Sequence, residues 1–251
     1  MGDNEARRGT VLYSNDAEHM AKVAGGRPKI PQCLARYSEP HSSVDESSQA
    51  VYTFNVPRRL LIVERLQSNS GDTFDVYDER GEPVLLVKGK FSSLLRNQKT
   101  VYPAHALVSS KDGQDRPPPL GYIEAVPFHP LRKQLMYDAA HVPRACVQKD
   151  RLAQLFDADT GVFRTRSDGR TLHGQDAPQW LHITSDFLAW NFEVRERKKG
   201  PVEMFVGREI GTPQAGLGVN TYFAYVAPNI DLVFATMVVV CMDEIWNDKY
   251  N

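Results

Sequence analysis

Between Leu232 and Met242 only Thr236 interrupts an otherwise apolar run, LVFATMVVVCM. A helix built from it is hydrophobic on every face instead of along one stripe, so it must be buried all round. A bilayer, an interior strand or the inside of the chain's own fold would each do that. Crossing a bilayer takes about 20 apolar residues, and this run is about half that length. It is followed by Asp243, Glu244 and Asp248 instead of basic anchors, which also argues against a transmembrane segment. Val238 to Val240 favour a strand by propensity, but the apolar length favours a helix, and Pro228-Asn229-Ile230-Asp231 supplies its start with Asp231 as N-cap. The segment predicts a core helix ending near Trp246, with Leu232, Phe234, Met237, Val238 and Cys241 all buried.

A wall that surrounds such a helix needs apolar material, and 251 residues with 41% hydrophobic content supply it. Thirty basic against 31 acidic residues leave a formal net charge of -1, which removes the bulk electrostatic case for a nucleic-acid binder. Cys33, Cys146 and Cys241 are scattered, without CxxC spacing, and argue against a disulfide framework or zinc knot. The opening MGDNEARRGTVLYSND holds no apolar signal core. Gly2 suits myristoylation, but Ala6 stands where the signal requires Ser or Thr. The expected location is intracellular and reducing: cytoplasmic, cytoskeletal or peripheral to a membrane.

Residues 1–50 are polar and punctuated by Gly, Pro and Ser, as in AGGRPKIPQ and SEPHSSVDESSQ, and read as an extended arm. Val11, Leu12, Tyr13, Ile30, Leu34 and Tyr37 are its candidate docking anchors. From residue 51 to 251 a single domain is expected, opening on short strand-like runs, VYTFNV and RLLIVERL. In DTFDVYDERGEPVLLVKGKF, Asp78-Glu79-Arg80-Gly81 marks a turn between two strands. Farther on, SSKDGQDRPPPLGY reads as a surface loop, and KDRLAQLFDADTG as a short helix and turn that lacks the closing Glu of a calcium loop.

The first hairpin has an echo. Laid without a gap over FEVRERKKGPVEMFVGR (Phe192 to Arg208), FDVYDERGEPVLLVKGK (Phe74 to Lys90) is identical at Phe74/Phe192, Val76/Val194, Pro83/Pro201, Val84/Val202 and Gly89/Gly207. The offset is too long for a solenoid repeat and points to two similar halves of one closed β structure. Phe74, Phe192, Val76 and Val194 are expected to share one core.

The first hairpin with the Ser-Leu-Leu-Arg run after it, the second hairpin, and the apolar segment led by Asp231 and closed by Asp243-Glu244-Ile245 together resemble the LURP-one-related family, which groups with tubby C-terminal and phospholipid scramblase domains. The resemblance covers roughly Val51 to Trp246 and matches nothing in residues 103–180. It implies a closed antiparallel β-barrel of about twelve strands around the hydrophobic C-terminal helix. Barrel closure, which removes strand edges, and a lumen wide enough to hold a helix agree with that architecture.

No chemistry stands out. The seven histidines show no HExxH or paired ligand spacing, and no GxSxG, phosphate loop or GxGxxG precedes a helix. No cofactor, metal or catalytic residue is expected; Asp243 and Glu244 read as a solvent-facing helix end or as caps on neighbouring strands. Two basic clusters, Lys88, Lys90, Arg96 and Lys99, and Arg195, Arg197, Lys198 and Lys199, are candidate anion or lipid contacts. The leading functional expectation is a non-enzymatic binding or scaffold protein whose arm docks to a protein assembly. The alternatives are a peripheral adaptor for phosphoinositide or other anionic lipid, and a diverged enzyme.

Overall fold

The computed structural model describes residues 52–65, 73–91, 97–104, 117–150, 159–166, 168, 179–185, 191–208 and 221–247. The docking anchors of the arm, Cys33 and Arg96 lie outside them, as do most of the run read as a short helix and the Ser-Leu-Leu-Arg run. The first six strands are β1 (Arg58–Arg65), β2 (Thr73–Tyr77), β3 (Pro83–Phe91), β4 (Asn97–Pro103), β5 (Gly121–Ala125) and β6 (Gln134–Asp138). The other six are β7 (Pro143–Lys149), β8 (Thr160–Arg164), β9 (Leu181–Ser185), β10 (Asn191–Arg195), β11 (Val202–Arg208) and β12 (Thr221–Val226). Each pairs antiparallel with its sequence neighbours, and β12 closes on β1, where Leu60 faces Ala224 and Ile62 faces Tyr222.

Alternation sets which side chains enter the barrel. Leu60 and Ile62 of β1, Phe74 and Val76 of β2, and Phe192 and Val194 of β10 are all buried in one core, as the hairpin echo requires. The run VYTFNV is not a strand. Tyr52 packs into the core, Thr53 makes a single bridge to Asp231, and pairing proper begins at Arg58, just after Pro57, which has no N–H for a ladder.

Residues 103–180, unmatched in sequence, carry β5 to β8 of the same wall and a third hairpin of the same design. In β2–β3, Asp78 N donates to Glu82 O (2.9 Å), Gly81 N to Asp78 O (3.1 Å), and Glu82 N to Asp78 Oδ1 (2.9 Å). In β6–β7, Asp138 N donates to Val142 O (3.0 Å), His141 N to Asp138 O (3.0 Å), and Val142 N to Asp138 Oδ1 (2.8 Å). Both turns run from a Tyr-Asp pair to a proline, both follow a register shift, and both need a left-handed residue, Gly81 at φ 80° and His141 at φ 59°. The β10–β11 turn has the same shift after Val194 but one residue more between its strands. The gapless echo therefore holds on the outgoing strand and slips by one on the return. Leu85 corresponds to Met204 and Val87 to Val206, and the Gly89/Gly207 identity occupies two different positions.

Inside the ring runs α1 (Leu232–Asn247). Asp231 caps it, accepting from Val233 N (2.6 Å) and Phe234 N (3.0 Å) on Oδ1, as its sequence position predicts. Leu232, Phe234, Met237, Val238 and Cys241 are buried with their neighbours on every face. The wall makes room for the helix: a Cβ on Gly121 of β5 would lie 2.4 Å from Met237 Cε and 2.7 Å from Tyr137 O, so only glycine permits the approach.

Candidate functional site

The lumen is occupied by the protein itself. Between α1 and the wall, a pocket edged by Trp180, Met204 and Phe234 offers about 10 Å³, and another on the outer side of the β1–β12 seam, edged by Arg59, Leu61 and Tyr225, offers the same; each holds one water at most. Neither of these pockets, lined by described residues, admits a ligand of ordinary size.

The end of α1 is fastened by polar groups from distant strands. Lys99, placed inside by the alternation of β4 and 1% exposed, forms an ion pair with Glu244. The Tyr222 hydroxyl donates to Asp243, and burial followed by that carboxylate pushes the phenol far above its ordinary pKa. Arg132 Nη1 donates to Ile245 O (3.0 Å), Trp246 Nε1 donates to Thr160 Oγ1 (3.2 Å), and Lys149 lies 4.0 Å from the centre of the Trp246 ring. Cations at this end complement the helix dipole. Asp243 and Glu244 thus differ from the expectation of a solvent-facing helix end: barrel strands surround the last turns, and each acid has a partner there. Burial, then the nearby Glu244, also raises the Cys241 thiol well above its usual value, leaving it a poor nucleophile.

The proposed cation surface divides. Lys99 lies inside the barrel, so it does not face the exterior with the others. Lys88 is exposed on the later part of β3, where Lys90 follows it. Arg195 is engaged with Glu193 (2.6 Å) and Gly200 O (3.1 Å). Arg197, Lys198 and Lys199 are exposed together on the β10–β11 turn, with Lys198 3.7 Å from Asp159. Because even-numbered strands of this ring run parallel to one another, the β2–β3 and β10–β11 turns share one end of the barrel, while the late β3 lysines lie toward the other. The structure does not bring the two clusters onto one face.

Three outer features gave no sequence signal. His141 stacks between Tyr122 and Tyr137, 4.6 Å from each ring centre, with Nε2 3.3 Å from Glu124. His182, buried on β9, has Asp150 3.9 Å from one ring nitrogen and Asp159 3.8 Å from the other, and burial above all raises the Asp150 carboxyl. Phe128 is 90% exposed at φ 57° in the β5–β6 turn. The histidines are joined to their neighbours through strand pairing, and the Phe128 turn has no glycine to mark its left-handed position. Among the described residues no group of His, Cys, Asp and Glu could hold a metal ion, and no helix is long and apolar enough to cross a membrane.

No curated protein matches the chain. An X-ray structure of a protein from Arabidopsis thaliana is similar over 81% of this chain and 98% of its own, at 15% identity and a TM-score of 0.49. The family model described as LURP-one-related matches residues 58–243, from the first residue of β1 to the acid that receives the Tyr222 hydroxyl. The chain belongs to the LURP-one-related family.

Proposed function

We propose that this protein is a non-enzymatic binding or scaffold protein that docks to a protein assembly through residues 1–50. The observation behind this reading is the filled lumen: α1 occupies the space where barrels of other kinds hold a small molecule, so recognition falls to the outer face and to the segments joined to it. Val11, Leu12, Tyr13, Ile30, Leu34 and Tyr37 supply the apolar anchors with which an extended segment gains affinity. The location implied is intracellular, where the Cys146 and Cys241 thiols persist reduced.

The test is deletion of residues 1–50 with two readouts. The truncated barrel should melt within about 1 kcal/mol of the full chain and should fail to enter the native complex on size-exclusion and affinity isolation. Normal incorporation of the truncated chain would refute the arm as the docking element.

A second reading, contact with phosphoinositide or other anionic lipid, is favoured by the three exposed cations Arg197, Lys198 and Lys199 on one turn. At about 1 kcal/mol per cation near an anionic surface this is a weak contact. Salt-sensitive cosedimentation with anionic vesicles, lost on charge reversal of the three, is its signature.

A further inference from the structure

The β5–β6 turn, VPFHPLRK, holds an aromatic ring out in water on a backbone that side chains resist. Among the described residues the exposed large apolar side chains are Phe128, at 90%, and Val56, at 48%. Phe128 has φ 57° and Arg132 φ 49°, the left-handed region where a side chain crowds the backbone and glycine is the usual occupant. A closed set of bonds imposes this shape. Val126 N donates to Lys133 O (2.9 Å), His129 N to Val126 O (3.3 Å), Arg132 N to His129 O (2.9 Å) and Leu131 N to His129 Nδ1 (3.3 Å). Lys149 N donates to Leu131 O (3.0 Å) and ties the turn to β7, while the exposed Pro127 and Pro130 fix φ on either side of Phe128 and His129. A scattered apolar side chain on a surface needs no account; one displayed by an over-determined, strained backbone has the mark of a functional position.

We propose that Phe128 is a membrane wedge, which enters the boundary between headgroups and acyl chains of a bilayer bearing anionic lipid and brings Arg132 and Lys149 to the headgroups. Charge points to that occupant. Residues 125–137 contain Arg132 and Lys133 and no aspartate or glutamate. Arg132 and Lys149 stand at the base of the turn, and burial, then the Arg132 guanidinium, pushes the Lys149 ammonium below its ordinary pKa, so two cations are held near one another and an anion relieves them. The nearest acids along the chain are engaged elsewhere: Glu124 accepts from Gln98 Nε2 (2.7 Å) and lies 3.3 Å from His141 Nε2, and Asp150 faces His182 at 3.9 Å. A protein partner would need about 800 Å² of surface around such an anchor, whereas Phe128 projects alone among prolines and cations. A bilayer asks only for a projecting ring with positive charge behind it. The turn follows an odd-numbered strand and so lies at the end of the barrel where α1 finishes, opposite Arg197, Lys198 and Lys199. The proposal therefore rests neither on that cation cluster nor on docking by residues 1–50.

The experiment measures cosedimentation of the full chain with vesicles of phosphatidylcholine alone and of phosphatidylcholine mixed with phosphatidylserine. Binding to the mixed vesicles is expected, weaker on phosphatidylcholine alone and weakened by salt. Phe128→Ser should lower the partition about tenfold or more with an unchanged circular dichroism melt, because the ring is open to solvent. Phe128→Gly should lower it equally while melting no lower than the unmodified protein, because glycine accepts the left-handed backbone. Charge reversal of Arg197, Lys198 and Lys199 should leave binding in place. In a Phe128→Trp variant, vesicles with brominated acyl chains should quench fluorescence beyond the quenching of the unmodified protein. Failure of the full chain to bind the mixed vesicles overturns the proposal and leaves the turn to a protein partner. Unchanged binding by folded Phe128→Ser, equal binding to both vesicles, or no added quenching in vesicle-bound Phe128→Trp would each overturn it too. Binding kept by Phe128→Ser and lost on the charge reversal would assign the lipid contact to the β10–β11 turn instead.

Discussion

Replacing Lys99 by Met tests the fastening of the axle to the wall. The substitution keeps length and apolar stem but deletes the cation, and the side chains of Lys99 and Glu244 are only 2% and 9% exposed. Removing one member of a buried pair leaves the other charge without its compensation, which costs about 3–5 kcal/mol. Set against a total stability of about 5–15 kcal/mol, that is a large share. For a domain of this size each kcal/mol moves the melting temperature by about 2–4 °C, so the expected fall is about 6–20 °C by circular dichroism. Glu244→Gln should fall less, because the amide still accepts a hydrogen bond. The double variant Lys99→Met with Glu244→Met should recover most of the loss, because a buried ion pair and an apolar pair of similar volume are nearly equivalent. If Lys99→Met melts with the unmodified protein, or if the double variant falls by the sum of its singles, the pair is not the closed, desolvated contact described above.

The other expectations follow from the same interior. Val239→Asp puts an unpartnered carboxylate at a fully buried position of α1, costing several kcal/mol, and should prevent recovery of soluble folded protein; unchanged melting would refute the central helix. Tyr222 has its pKa raised in the fold, so its contribution is complete below the unfolded value of about 10 and is lost as pH rises beyond it. Stability should fall above pH 10 by up to about 1.4 kcal/mol per unit from this group, and Tyr222→Phe should flatten the alkaline slope, with Tyr52 and Tyr122, also raised by burial, retaining the remainder. Asp231 is raised chiefly by burial and opposed by its two helix N–H bonds, so its charge is a cost that appears as pH rises above the acidic range. Asp231→Asn should equal or exceed the unmodified protein at neutral pH in urea titration, with the difference closing near pH 4, whereas Asp231→Ala should lose about 0.5–2 kcal/mol.

The parts of this fold that were legible are those whose signal is local. Uniform apolarity from Leu232 to Met242 demanded burial on all sides, and Asp231 declared the helix start through ordinary capping chemistry. The β2–β3 turn was readable because its left-handed position is Gly81. Its counterpart in β6–β7 was missed because His141 occupies that position, so the only local marks left were the Tyr-Asp pair and Pro143. A gapless overlay also misplaced the return strand of β10–β11, since one extra turn residue changes which side chains face the lumen. The fates of Lys99, Asp243 and Glu244 had no local signal at all. Lysine after a polar strand start and two acids at the end of a helix are what solvent-facing positions look like, and only ring closure puts Lys99 and Tyr222 within reach of them.

The placement of the axle has a consequence for synthesis. The helix that fills the barrel follows all twelve strands in the chain, so the ribosome releases the wall before the core that supports it exists. The closing seam also waits, because Leu60 meets Ala224 only when β12 has emerged. Until then the strands form a sheet with two open edges and an empty apolar face, the kind of intermediate that aggregates or engages chaperones. A premature stop between Val226 and Leu232 therefore does more than shorten the protein: it yields a complete set of staves with nothing to close around.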